Sequence, residues 1–206
     1  MGERVVDNGI HLLGVSASIA AAIALMIVAA RVLPAFSLVP LGVYGAGLVA
    51  MFVSSAAYHL SRKERAKELF RRLDHAAIFV MIAGTYTPLA LLNIGGAWGF
   101  GLLSFVWAIA ILGVTVKLSL PRAFERLSIA LYLVQGWAVL VAAKPLVLSV
   151  PTPSLVLIGI GGALYTLGVV FHVWRRLPYH NAIWHGFVLV AAGLHYTAIL
   201  GAATLI

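Results

Sequence analysis

Residues 10–31 read IHLLGVSASIAAAIALMIVAAR, an apolar run without an acidic side chain that ends on a single arginine. A helix rises about 1.5 Å per residue, so a run of this length crosses the hydrocarbon core of a bilayer, which is about 30 Å thick. Six further apolar runs follow at 38–60, 74–93, 97–118, 127–149, 152–174 and 180–205. The segments between them are short and rich in charged or turn-forming residues, so no second domain fits. We therefore predict an all-α integral membrane protein, a single seven-transmembrane helix bundle over residues 1–206.

The composition excludes the common soluble classes. Of the 206 residues, 63% are hydrophobic and only 10% are charged, whereas soluble domains carry about 25% charged residues. Disorder is excluded because it requires low hydrophobicity, and a chain without cysteine has no thiolate ligand for a metal. The net charge of +8 indicates basic loops beside anionic lipid rather than a nucleic-acid partner. We expect membrane lipid as the partner, and the sequence identifies no protein partner.

The basic residues predict the orientation of the bundle. With the N-terminus in the cytoplasm, all 14 lysines and arginines except Arg31 and Lys144 fall on the cytoplasmic side. Membrane proteins place their basic loops on that side. Glu3 and Asp7 precede the first span where a signal peptide would be basic. We therefore predict a cytoplasmic N-terminus, an outside C-terminus and an uncleaved first helix.

Ionisable side chains inside apolar spans are costly and are therefore candidates for function. Several lie at the predicted cytoplasmic ends of the second, third, sixth and seventh spans, namely His59, Asp74, His75, His172, His180 and His185. Imidazoles from separate helices with a nearby carboxylate suit a zinc ion that activates water. The alternative is that these side chains cap helix ends, reach to the interface or pair with Asp74. The spacing leaves both possibilities open, and we interpret His11 and His195 as structural.

Helical periodicity shows which of these residues share a face. Ser55 and His59 are four residues apart, and so are Asn181 and His185, so each pair lies on one side of its helix. His180 and His185 are five apart, about 140° around an ideal helix. An ideal helix would therefore not direct both imidazoles to one ion.

Four segments resemble a known family. The second span ends in SSAAYH at 54–59, the third contains RRLDHAAIFVMIAGTYTP at 71–88, the seventh contains HNAIWHGFVLVAAGLHY at 180–196, and DNGIHLLG opens the first at 7–14. In this order and spacing they resemble the hemolysin III family, the bacterial branch of the progestin and adipoQ receptor superfamily. The resemblance implies seven helices with a cytoplasmic N-terminus in the bacterial cell (inner) membrane, and a zinc site near the cytoplasmic face.

The resemblance also implies roles for individual residues. Zinc ligands are expected at His59, Asn181 and His185. An aspartate that engages zinc-bound water matches Asp74, and the family serine matches Ser55.

Position 181 departs from the family pattern, because the chain has Asn181 where the resemblance implies histidine. His180 can replace it if the start of the helix is irregular. Asn181 can instead bind weakly through its amide oxygen, which suits zinc poorly, or the site is weakened or empty. We favour His180 or water as the third ligand, with His172 as a more distant substitute.

Three functions agree with this pattern. The first is a zinc-dependent hydrolase of a lipid amide or ester, similar to a ceramidase, in which Asp74 positions water and Ser55 assists. The second is a membrane-state sensor or receptor-like protein in which zinc is structural. The third is a pore-forming cytolysin, which the sequence supports poorly because a channel lines its path with polar residues through the full depth. We prefer the enzyme, followed by the sensor.

Overall fold

The computed structural model of the chain describes residues 2–120 and 124–204. Seven segments of the described chain are helical, long and apolar enough to cross a membrane, as predicted. They comprise α1 (Gly2–Val32), α2 (Leu38–Leu60), α3 (Glu64–Pro88), α4 (Gly96–Ser119), α5 (Glu125–Gly136) with α6 (Ala143–Ser149), α7 (Thr152–Val173) and α8 (His180–Thr204). Arg122, counted above toward the orientation, and residue 205, the predicted end of the seventh run, lie outside the described residues.

Two of the seven segments contain irregular turns in their interior, and the second segment begins with a 3₁₀ turn, Ala35–Ser37. After Pro88, α3 continues as a π-helical turn, Leu89–Ile94, where the proline lacks the N–H that a regular helix needs. Gly95 ends this turn with a φ of 62°, a backbone conformation that glycine adopts without steric cost. The fifth segment changes from α5 to α6 through a 3₁₀ turn, Ala138–Ala142.

Two helices begin well before their apolar runs. Helix α3 starts at Glu64 rather than at 74, because its basic first part consists largely of good helix formers and contains an ion pair of 3.1 Å between Arg71 and Glu68. Helix α1 starts at Gly2 rather than at 10. Hydropathy marks where a helix enters lipid, whereas backbone hydrogen bonding continues beyond that point. This extension of α1 brings Asp7 into the bundle.

The two ends of the bundle differ in charge. The described basic residues that support the orientation lie near the beginnings of α1, α3, α5 and α8 and, for Lys117, in the last turn of α4. Contacts join the helices there: Arg71 of α3 is 3.5 Å from Glu125 of α5, and Arg175 is 3.9 Å from the same carboxylate. We call this end, which includes segment 61–73, the basic end.

Helix packing places α1 between two partners. Helix α1 packs against α2 and α8, α2 packs against α3, and α7 packs against α8. Because lipid tails are as apolar as the side chains, close van der Waals contact rather than exclusion of water holds such helices together. At Gly84 of α3 a Cβ atom would lie only 3.4 Å from the Val43 carbonyl oxygen of α2. Helix α1 thus lies between α2 and α8.

Candidate metal centre

Three histidines from three helices meet at the basic end. His11 comes from α1, His59 from the last turn of α2 and His185 from the second turn of α8. One ligand nitrogen from each lies within 4.8 Å of the other two. The ring centroids are 4.6 Å apart for His11 and His59, 4.3 Å for His11 and His185, and 4.6 Å for His59 and His185. These histidines are close enough to hold a metal ion.

Asp7 contacts all three imidazoles. It lies on α1 one turn before His11 and is only 8% exposed. Its Oδ1 is 2.7 Å from Nδ1 of His185, and its Oδ2 is 3.4 Å from Nδ1 of His59 and 3.6 Å from Nε2 of His11. An ionised carboxylate only accepts hydrogen bonds, so Nδ1 of His185 is the donor. A neutral His185 therefore keeps a lone pair on Nε2.

The burial and hydrogen bonding of His11 show whether these residues suit a metal ion. The residue is 3% exposed, and its Nε2 atom has no hydrogen-bond partner among the described residues. The Asp7 Oδ2 atom lies 3.6 Å from this nitrogen, beyond hydrogen-bond distance, so a metal ion would supply the partner that the buried nitrogen lacks. Zinc in particular accepts nitrogen ligands from three histidines. The donor set therefore fits a metal of this kind.

Packing of α1 against α2 brings His11 to His59. Gly14 follows His11 by three residues and faces the ring of Phe52 on α2. A Cβ atom at Gly14 would lie 2.5 Å from that ring, so the absence of a side chain lets the helices approach closely. Asp7 and His11 are four residues apart and share one face of α1. One helix thus presents both side chains to α2 and α8.

Comparison with known proteins identifies the family. A family model described as haemolysin-III related matches residues 4–196. The chain belongs to the hemolysin III family. It is 36% identical over 198 residues to a hemolysin-3 homolog of Bacillus subtilis (strain 168), which covers 96% of this chain and 93% of that protein. No solved structure matches the chain.

Other relatives extend the family link. Hemolysin-3 of Bacillus cereus is 35% identical over 198 residues, covering 96% of this chain and 90% of that protein. The monocyte to macrophage differentiation factor of Homo sapiens is 29% identical over 163 residues, covering 76% of this chain and 67% of that protein. The matches confirm the predicted family and its link to animal relatives. Together with the seven apolar helices, they make this hemolysin III protein a multi-pass integral membrane protein of the bacterial cell membrane.

Two of the histidines that the sequence predicted as zinc ligands meet in the structure. Two further residues, His11 and Asp7, lie beside them. His59 and His185 lie in the cluster. His11, interpreted from the sequence as structural, is the third histidine of the group. Asp7 was not predicted as a site residue, because the predicted first span begins after it. The signal that could have found the pair is their spacing of four residues, which places a carboxylate and an imidazole on one face.

Two candidate ligands occupy other positions on α8. His180 is not a member of the three-histidine group found in the described residues. Its Nδ1 atom is buried and has no hydrogen-bond partner within that part of the chain. Asn181 is partly buried and lies one helical turn before His185. The structure thus supplies a third histidine without using position 181.

Asp74 and Ser55 also lie toward the basic end. An Asp74 oxygen is 3.6 Å from Nδ1 of His75, and the same nitrogen is 2.8 Å from the Arg71 carbonyl oxygen. Ser55 is partly buried on α2, one turn before His59. In the described residues, the group of side chains close enough to hold one metal ion does not include Asp74. The water-positioning role of Asp74 and the assisting role of Ser55 stay predictions.

Proposed function

We propose that this chain is a zinc-dependent membrane hydrolase that cleaves a lipid amide or ester, with the ion held by His11, His59 and His185. The observation that carries this proposal is the buried Nε2 of His11, which lacks a hydrogen-bond partner in the described chain and lies beside two further imidazoles. Three histidines without a fourth protein ligand are typical of catalytic rather than structural zinc.

The chemistry divides between the ion and the side chains. When bound, zinc supplies a Lewis acid that polarises a carbonyl and lowers the pKa of a coordinated water toward about 7. Asp74 would accept a proton from the attacking water and later return it to the leaving group. Ser55, one turn from His59, would donate a hydrogen bond to the carbonyl oxygen as negative charge develops on it.

A lipid substrate agrees with the surroundings of the cluster. On α1, apolar side chains next to the site face outward, with Val5 68% exposed and Leu12 59% exposed. In a membrane-spanning helix such side chains contact acyl chains. An acyl chain would therefore lie against this face of α1, beside the cluster, with the lipid headgroup near the basic end.

A structural zinc in a sensor is the second candidate, and the observation that favours it is Asp7. If this carboxylate bound the ion directly, four protein ligands would surround it. Such a closed site is typical of structural zinc. Zinc would then join α1, α2 and α8 and report the state of the membrane through a change in their packing.

Metal analysis tests the first step of the proposal. Protein purified in detergent without chelators is expected to contain close to one zinc per chain, whereas His59→Ala is expected to contain almost none. Absence of zinc from the wild type, after incubation with the ion and removal of excess, would contradict a zinc site.

A hydrolysis assay tests the second step. Zinc-loaded protein in lipid vesicles would be offered lipid amides and lipid esters, with release of fatty acid as the measurement. Asp74→Asn is expected to retain zinc and lose activity. Unchanged activity in that variant would contradict the role of Asp74. Zinc-loaded wild type that releases no fatty acid from either class would favour the sensor.

A further inference from the structure

Asp7 is a buried carboxylate in a helix that crosses the membrane. A charge in this position is costly unless it is paired. Its ion-pair partners in the described residues are the imidazoles of His11, His59 and His185. The carboxylate therefore belongs to the cluster, although the family resemblance assigned no role to it.

We infer that Asp7 is a positioning residue, which orients His185 and His59 so that both present Nε2 to the metal. This inference rests on the proposed zinc site. Asp7 acts through the imidazoles and does not bind the ion itself.

The contacts of Asp7 support this role. Its Oδ1 accepts a hydrogen bond from Nδ1 of His185 at 2.7 Å. A neutral imidazole has one N–H, so a proton on Nδ1 leaves the Nε2 lone pair free for a metal. Nδ1 of His59 faces the second oxygen of the same carboxylate at 3.4 Å. One carboxylate thus fixes the tautomer of His185 and lies against Nδ1 of His59 on a second helix.

The three histidines form a ligand set without Asp7. Their ligand atoms lie within 4.8 Å of one another, and in the described chain that group does not include the carboxylate. Histidines that bind metals commonly donate their other N–H to a carboxylate, which fixes the ring and raises its basicity. Asp7 has this relationship to His185. With Asp7 hydrogen-bonded to His185 rather than bound to the ion, the three histidines would leave a ligand position for water, as the hydrolase requires.

Helix α1 consequently supplies both a ligand and the group that orients the other ligands. His11 and Asp7 are one turn apart, so a displacement of α1 would move both together. Loss of such a carboxylate typically lowers metal affinity about 10- to 100-fold.

The test measures zinc affinity of the full-length protein in detergent by competition with a chromophoric chelator. Asp7→Asn keeps the size of the side chain and removes its charge. We expect its zinc affinity to be about 10- to 100-fold below that of the wild type. Glu64→Gln is the matched control, since it makes the same chemical change at an exposed position on α3 and is expected to leave the affinity unchanged. Equal affinities for wild type and Asp7→Asn would overturn the inference.

Visible absorption of Co²⁺ bound in place of zinc distinguishes a positioning residue from a ligand. The absorption depends on the number and kind of ligands. We expect wild type and Asp7→Asn to have the same band shape and intensity when saturated. A change in coordination number in the variant would show that Asp7 binds the metal and would overturn the inference.

A second pair of variants keeps the inference testable if Asp7→Asn fails to fold. Asp7→Glu keeps the carboxylate, and we expect it to bind zinc more tightly than Asp7→Ala. Equal affinities for these two would contradict a role for the carboxylate. Wild type that binds neither zinc nor Co²⁺ would instead contradict the proposed function itself, so the two failures are distinguishable.

Discussion

The imidazoles of His11 and His185 lie 4.3 Å apart between ring centroids, although they come from the first and the last helix of the chain. The ring of His59 completes the group from α2. Asp7 accepts a hydrogen bond from His185 and faces the other two rings. Contact between the two terminal helices therefore creates the candidate metal centre.

The identity of the third zinc ligand is the first prediction. His11→Ala is expected to lose bound zinc, because one of the three imidazoles is removed. His180→Ala is the matched control on α8 and is expected to retain it. Elemental analysis of the two purified variants measures the difference. Retention of zinc by His11→Ala together with its loss from His180→Ala would show that His180 is the third ligand.

A second prediction concerns the family position that the chain has changed. Asn181 shares a face of α8 with His185, so a histidine there should approach the same ion. We expect Asn181→His to restore zinc binding when introduced into His11→Ala. The measurement is zinc content of the double variant beside that of the single one. A double variant that stays free of zinc would mean that position 181 cannot replace His11.

A third prediction concerns removal of the metal. A ligand that binds only the folded state stabilises it by about 2.7 kcal/mol when its concentration is 100 times its Kd. Chelation is therefore expected to lower the thermal midpoint of the wild type. The same treatment should leave His59→Ala unchanged, since that variant binds no zinc. An equal shift in both proteins would contradict a specific effect.

A fourth prediction concerns the close contact between α1 and α2. Gly14→Val would place side-chain atoms against the ring of Phe52, where even a Cβ atom would be at 2.5 Å. Overpacking of this kind costs about 1–3 kcal/mol, and displacement of α1 should also weaken zinc binding. Gly9→Val is the control on the same helix, because no atom lies within 4 Å of its Cβ position. Thermal unfolding and zinc competition measure the two effects. Similar behaviour of both variants would contradict the packing argument.

A fifth prediction concerns the irregular fifth segment. The Tyr86 hydroxyl donates to the Gly136 carbonyl oxygen at 2.6 Å and accepts from the Val139 N–H at 3.0 Å. Tyr86→Phe leaves both backbone groups without this partner, at a cost of about 1–3 kcal/mol.

Tyr44→Phe is the control for this prediction, because the Tyr44 hydroxyl is buried and has no hydrogen-bond partner among the described residues. We expect it to leave stability unchanged or slightly higher. Thermal unfolding in detergent compares the two, and equal destabilisation would contradict the assigned hydrogen bonds.

Much of the fold could be predicted from hydropathy. A span through lipid must satisfy its backbone internally and present apolar side chains, so each of the seven runs indicates a helix directly. The beginnings of α1 and α3 could not be predicted in this way. Their first residues are charged and lie at the membrane surface, where the helix continues without an apolar signal.

The sequence by itself determined the seven apolar helices, the concentration of basic charge at one end, and the candidate status of His59 and His185. Only the tertiary structure decided that His11 and Asp7 join them. Helical periodicity shows which side chains share a face of one helix, but not which neighbour that face meets. Close packing of α1 against α2, together with its contact with α8, brings these side chains together, and that choice depends on contacts between residues far apart in the chain.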